Sequence, residues 1–182
     1  AFSVFSNYVI ELKFLFNGYY VSSASLPFIY LPTWILITTP IMILLLFFVG
    51  YYLCFKKFLN NLVKIDEKKD NNIWSNIIEK RDFFIFFNFS AILIYLIISN
   101  PVLYNGWRQV YFLNIFIVYL ATNGLYQLAY NVKFFKQFKK YIYLASTLFL
   151  ISLFYEIYKL HPFKSFYFNK LVGKDIHQKY EL

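Results

Sequence analysis

Between Lys13 and Lys56 the chain carries no Asp, Glu, Lys or Arg, and the same holds between Asp82 and Arg108 and between Arg108 and Lys133. A helix needs roughly 20 apolar residues to cross the hydrocarbon core of a bilayer, and each of these gaps is longer than that. A water-soluble chain of 182 residues that is 60% hydrophobic, 25% aromatic and only 15% charged has no core large enough to hide such surface from solvent. The pattern predicts an all-α, polytopic membrane protein. About four transmembrane helices are expected, near residues 30–55, 83–99, 110–130 and 141–158, within a single membrane-embedded region over 1–182.

Local signals refine these spans. Pro40 lies inside the first and lacks an amide hydrogen, so a kink is expected there, with Thr38 and Thr39 placed to satisfy the freed backbone groups. Residues 56–81 form a polar loop with seven Lys/Arg, in which Ile73, Trp74, Ile77 and Ile78 share one helical face and predict a short helix in the headgroup region. Asn100-Pro101 should stop the second span. In the third, Tyr119, Asn123 and Gln127 recur at i, i+4, i+8. Amides facing lipid would go unpaired, so this stripe is expected to face protein, inside or outside the given sequence. Glu156 falls near the end of the fourth span and is expected to be solvated, at the interface or beside Lys159.

Orientation follows from the basic residues. The 56–81 and 131–140 loops hold eleven of the eighteen Lys/Arg, against one in the 100–109 loop, which puts the first two on the cytoplasmic side and the third outside. The net charge of +9 is concentrated in these short blocks beside apolar runs, the distribution expected of membrane topology and anionic lipid, and no nucleic-acid partner is expected. Cys54, the only cysteine, sits in an apolar stretch and reads as a small packing residue.

No glycine-rich phosphate loop, HExxH, CxxC or nucleophile elbow occurs. The informative residues fall on the expected outer side. Arg108 is the only charge between Asp82 and Lys133, and a guanidinium at a membrane edge can fork two hydrogen bonds onto a phosphate or simply anchor among headgroups with Trp107 and Tyr104. The aromatics after His161-Pro162, with Tyr167 and Asn169, fit either a stacking surface for a sugar or polyprenyl chain or an interfacial belt. His161 and His177 are too few for a metal site, and none is assigned.

Three blocks carry a resemblance. LPFIYLPTWILITTPIMILLLFFVG, then NPVLYNGWRQVYFLNIFIVYLA, then HPFKSFYFNKLVG followed by YEL, are similar in content and order to the later membrane half of bacterial polytopic glycosyltransferases related to dolichyl-phosphate-mannose protein mannosyltransferases and aminoarabinose transferases. With their spacers they cover nearly the whole chain. The resemblance implies part of a GT-C fold in the bacterial inner membrane, multi-pass, taking a sugar from a polyprenyl-phosphate donor on the outer face. It implies a catalytic carboxylate in a first outer loop upstream of Ala1, with a divalent metal, if one is used, held by that upstream part. Arg108 matches the second block and is assigned to the donor phosphate. Tyr104, Trp107, His161, Tyr167 and Asn169 become contacts for donor or acceptor. Where the family's second block has an acid and a histidine, this chain has Asn105 and Gln109, so the loop lacks two ionisable groups and no acid–base role is expected of it.

The chain starts without a Met and stops abruptly at Glu181-Leu182, the look of a catalytically inert fragment of a longer enzyme. The competing expectation is a non-enzymatic membrane protein, a transporter or scaffold subunit. Transporters bury ionisable residues at mid-membrane, and the first three expected spans contain none, which favours the enzyme.

Overall fold

Pro40 does not kink a long helix; it separates two. In the computed structural model, which describes residues 12–65, 74, 76–103, 106–131, 137, 139–159, 167–173 and 176–180, helix α1 spans Tyr30–Thr38 and α2 spans Ile41–Ile65, with Thr39 extended at ψ 136° between them. The residue before a proline is pushed out of the α region, while the proline's fixed φ and missing N–H suit a helix start. The expected span over 30–55 is therefore corrected: the apolar run long enough to cross a bilayer is Ile41–Val63.

Helix α3 spans Ile77–Ser99, six residues longer at its start than the expected second span. It opens on a cap in which Asn76 Oδ1 accepts the Glu79 N–H at 2.8 Å. Of the expected headgroup helix, Ile73 lies outside the described residues, and Ile77 and Ile78 belong to the first turn of α3. Asn100 closes the helix in the left-handed region (φ 43°) and Pro101 bars its continuation, as expected from the sequence. Helices α4 (Leu113–Asn131) and α5 (Lys139–Lys159) overlap the expected third and fourth spans. A short helix α6 covers Ile176–Lys179.

The architecture is mostly helical but not all-α. Strands β1 (Lys13–Phe16) and β2 (Tyr19–Ser22) form an antiparallel hairpin in which Phe16 pairs with Tyr19. Asn17 and Gly18 make its two-residue turn, both with positive φ (52° and 86°), the type I′ geometry whose twist matches that of the flanking strands. Asn-Gly between two runs of β-formers is the sequence signal of this hairpin, and the all-α expectation is corrected by it.

Among the described residues two helices, Ile41–Val63 and Ile77–Ser99, are long and apolar enough to cross a membrane. α4 and α5 are 19 and 21 residues long. Large apolar side chains stand exposed along all four helices, among them Phe48, Phe84, Ile115 and Phe154, a surface that water would not leave uncovered.

The described residues fall into two compact units. One draws on Ala1–Pro40, Ile92–Phe112 and Phe168–Leu182, the other on Ile41–Ala91 and Leu113–Tyr167. The first centres on an aromatic cluster: Phe16 lies 4.9 Å from Tyr30 and 5.9 Å from Tyr180, and Trp34 lies 5.5 Å from Tyr180 and 5.9 Å from Phe168. Burial raises the Tyr180 phenol above its ordinary pKa. In the second unit α2 packs lengthwise on α4, which turns Leu113, Ile117 and Leu120 fully inward.

Candidate functional site

Each unit contains one cluster of polar groups with the geometry to do something. In the first, the three blocks singled out in the sequence meet. Gly106 adopts φ 80°, and its backbone sits against the Trp34 ring, where a Cβ would lie 3.4 Å from the indole. That turn lets the Gly106 N–H donate to Tyr30 Oη at 3.1 Å. Trp107, only 4% exposed, donates its indole N–H to Thr38 Oγ1 at 2.8 Å, and Thr38 donates onward to the Trp34 carbonyl at 2.6 Å. Arg108 follows as the first residue of a short 3-10 turn, Arg108–Val110, with its side chain exposed. The buried tryptophan thus fixes the backbone from which the guanidinium projects.

Asn169 completes this arrangement. Its amide Nδ2 donates to the Leu36 carbonyl at 2.6 Å and the Thr39 carbonyl at 2.7 Å, while its backbone N–H donates to Ile37 O at 2.8 Å. Its Oδ1 accepts the Leu171 N–H at 2.9 Å. A helix leaves its last four carbonyls unsatisfied, and here a residue far along the chain caps those of α1. The repair expected from Thr38 and Thr39 comes instead from Asn169. Replacing Asn169 with Ala should cost about 3 kcal/mol, since buried carbonyls lose their donors. Asn169→Asp should do at least as badly, because a carboxylate oxygen would face two carbonyls. Thermal unfolding in detergent, followed by the fluorescence of Trp34 and Trp107 in the same unit, measures this, and an unchanged midpoint for Asn169→Asp would refute the donor role.

Of the expected contacts, then, Trp107 and Asn169 are brought together with the Arg108 turn but are buried and engaged within the protein. Tyr167 is half-buried, with its phenol pKa raised by burial and by the Glu156 carboxylate. Glu156 itself is exposed, as expected. Tyr104 and His161 lie outside the described residues, as does the His177 side chain.

The second cluster was not anticipated. Asp82, just before the expected second span, lies inside α3 and is 6% exposed. Tyr119 Oη donates to its Oδ1, and Asn123 Nδ2 donates to its Oδ2 at 3.2 Å. Arg81 Nε donates to Tyr119 Oη at 2.7 Å, and its Nη2 lies 3.7 Å from Asp82 Oδ1. Asn123 also reaches Cys54 Sγ on α2 at 3.4 Å, and Gln127 donates to Asn123 Oδ1 at 3.4 Å. The stripe on α4 does face protein, and that protein is this chain. A signal existed: Asp82, Phe86 and Phe89 stand at i, i+4, i+7 and are all buried, one inward face of α3. Beside the carboxylate lies a cavity of about 20 Å³ lined by Cys54, Lys57, Asn61 and Glu79 among others, large enough for a single water. Among the described residues no three His, Cys, Asp or Glu gather as a metal site.

Compared with protein-family models, curated proteins and solved structures, the chain matches none.

Proposed function

We propose that this chain is the scaffold and donor-binding part of a bacterial inner-membrane glycosyltransferase, with about four spans, that takes a sugar from a polyprenyl-phosphate donor on the outer face. The observation that carries the reading is the convergence of the three resembling blocks. Thr38 and Trp34 of the first, Gly106 and Trp107 of the second, and Phe168 and Asn169 of the third bond or pack within one unit around the Arg108 turn. Similarity spread over separated blocks has a physical reason when those blocks form one contact set.

Chemically, an acceptor hydroxyl loses its proton to a general base and attacks the anomeric carbon, and the polyprenyl phosphate departs with the bonding electrons. Negative charge grows on that phosphate, where an exposed guanidinium held on a rigid turn stabilises it. The base is expected in a segment preceding Ala1. The described residues do not fit a metal site, so no step is assigned to a metal on them. In the complete protein Arg108→Lys should lower sugar transfer at least tenfold, since a lysine keeps the charge but loses the fork. Expression and unfolding temperature should stay unchanged. Parent-like activity would reduce Arg108 to a headgroup anchor.

One observation favours the non-enzymatic alternative. Asp82, just before the expected second span, is buried in α3, and buried carboxylates mark transport pathways. Against that, both Asp82 oxygens are engaged by side chains of this chain, which fits a clamp between helices.

A further inference from the structure

We propose that the groove along the first turns of α3 binds an anionic phospholipid, its phosphate on Lys80 and Arg81 and one acyl chain along Phe84 and Phe87. The groove measures about 480 Å³ and is lined by these four side chains together with Trp74, Ile77 and Phe83. That volume lies within the roughly 300–1,000 Å³ of small-molecule sites. Its axis follows the helix: Ile77, Lys80, Phe84 and Phe87 recur at three- and four-residue spacing on one face. The distance from the cations to the far aromatic is about 10 Å at 1.5 Å per residue. Ile77 is 82% exposed, Phe84 64% and Phe87 57%, whereas Trp74 closes one wall by packing on the Phe83 ring at 4.9 Å.

Charge chooses the occupant. The sequence Glu79-Lys80-Arg81-Asp82 is neutral as a string, but the fold sorts it. Asp82 turns inward to Tyr119 and Asn123, and Glu79 accepts from Asn61 at 3.4 Å and borders the small cavity beside Cys54. Lys80 and Arg81 line the groove, and no acid is among its described lining residues. Arg81 donates to Tyr119 Oη, lies 3.7 Å from Asp82 Oδ1 and stays 58% exposed. Two cations at the head of an apolar aromatic channel complement an amphiphile with an anionic head, and the helix N-terminus adds to the positive potential.

Trp74 is a built-in reporter, because Trp34 and Trp107, the other tryptophans, are only 2% and 4% exposed and belong to the other unit. The full chain in phosphatidylcholine nanodiscs would be titrated with phosphatidylglycerol or phosphatidylcholine carrying brominated acyl chains, with Trp74→Phe fixing the background. Half-quenching of Trp74 should need on the order of tenfold less of the anionic lipid, the preference expected of two cations at an anionic head. Lys80→Gln, which leaves the Tyr119–Asp82 bonds alone, should shrink that preference several-fold. Phe87→Ala should weaken quenching by the anionic lipid. Equal quenching by both lipids in the parent overturns the proposal, as does a preference untouched by Lys80→Gln. Loss of the preference in millimolar inorganic phosphate, at matched ionic strength, would make the site one for free phosphate and also overturn it.

Discussion

Gly50→Val should abolish recovery of folded protein, and Gly50→Ala should cost about 3 kcal/mol or more. A Cβ on Gly50 would lie 1.9 Å from the Leu120 carbonyl oxygen, and one on Gly124 would lie 2.3 Å from the Leu46 carbonyl oxygen and 2.8 Å from the Gly50 nitrogen. These obstacles are backbone atoms, so no rotamer change relieves them. The helices α2 and α4 must part by roughly 1.5 Å to restore ordinary contact distances. Separation unseats Leu44, Phe47, Ile117 and Leu120, all buried in this unit, and overpacking of such an interface costs about 1–3 kcal/mol even where side chains can yield. Small residues that let two backbones touch are the usual device of helix association in lipid, where dispersion rather than water drives packing. Gly124→Ala should have a similar effect. The double variant should cost less than the sum, because one separation accommodates both methyls. Gly173→Ala is the comparison. It has open space around it and a φ of 83°, so only backbone strain of about 1 kcal/mol is expected. Thermal unfolding in detergent would measure all four. A Gly50→Ala midpoint no lower than that of Gly173→Ala would mean that the two helices do not cross at these glycines.

Asp82→Ala should destabilise the chain by about 3 kcal/mol, and the loss should be shared with Tyr119. The carboxylate accepts from Tyr119 and Asn123, and Asn123 links onward to Cys54, so one acid ties α2, α3 and α4 together. Removing it strands two half-buried donors, each costing up to about 1–3 kcal/mol, and leaves Arg81 without its counter-charge. Asp82→Asn keeps an acceptor for Tyr119 but sets one amide against another, and should lose about half as much. Tyr119→Phe alone should be destabilising, yet nearly without further effect on top of Asp82→Ala, giving a coupling energy of at least about 1 kcal/mol. Additive effects of the two substitutions, read by the same unfolding measurement, would show that the bond contributes nothing to stability. The Asp82 variants also bear on the competing functional readings. A clamp loses stability and activity together in Asp82→Asn, whereas a transport carboxylate would lose function in a protein as stable as its parent.

What the sequence by itself determined is what depends on neighbours along the chain. Apolar length places helices at Ile41–Val63 and Ile77–Ser99, because lipid or core must cover any such run. Pro40 and Asn100-Pro101 mark helix ends, since their steric effects act within one or two residues. Asn17-Gly18 marks a turn just as locally, through the positive φ both positions adopt. What only the tertiary structure decided depends on what stands opposite. A charged residue one turn into a helix can reach outward or point inward, and Arg81 and Asp82, adjacent in sequence, do one each because Tyr119 and Asn123 wait on a helix more than thirty residues away. A lone glycine in an apolar run says nothing until another backbone lies against it, as Leu120 and Gly124 do against Gly50. Asn169 looked like an exposed contact for a ligand and proved to be the cap of α1, because the carbonyls it satisfies are freed by the break at Pro40, some 130 residues earlier.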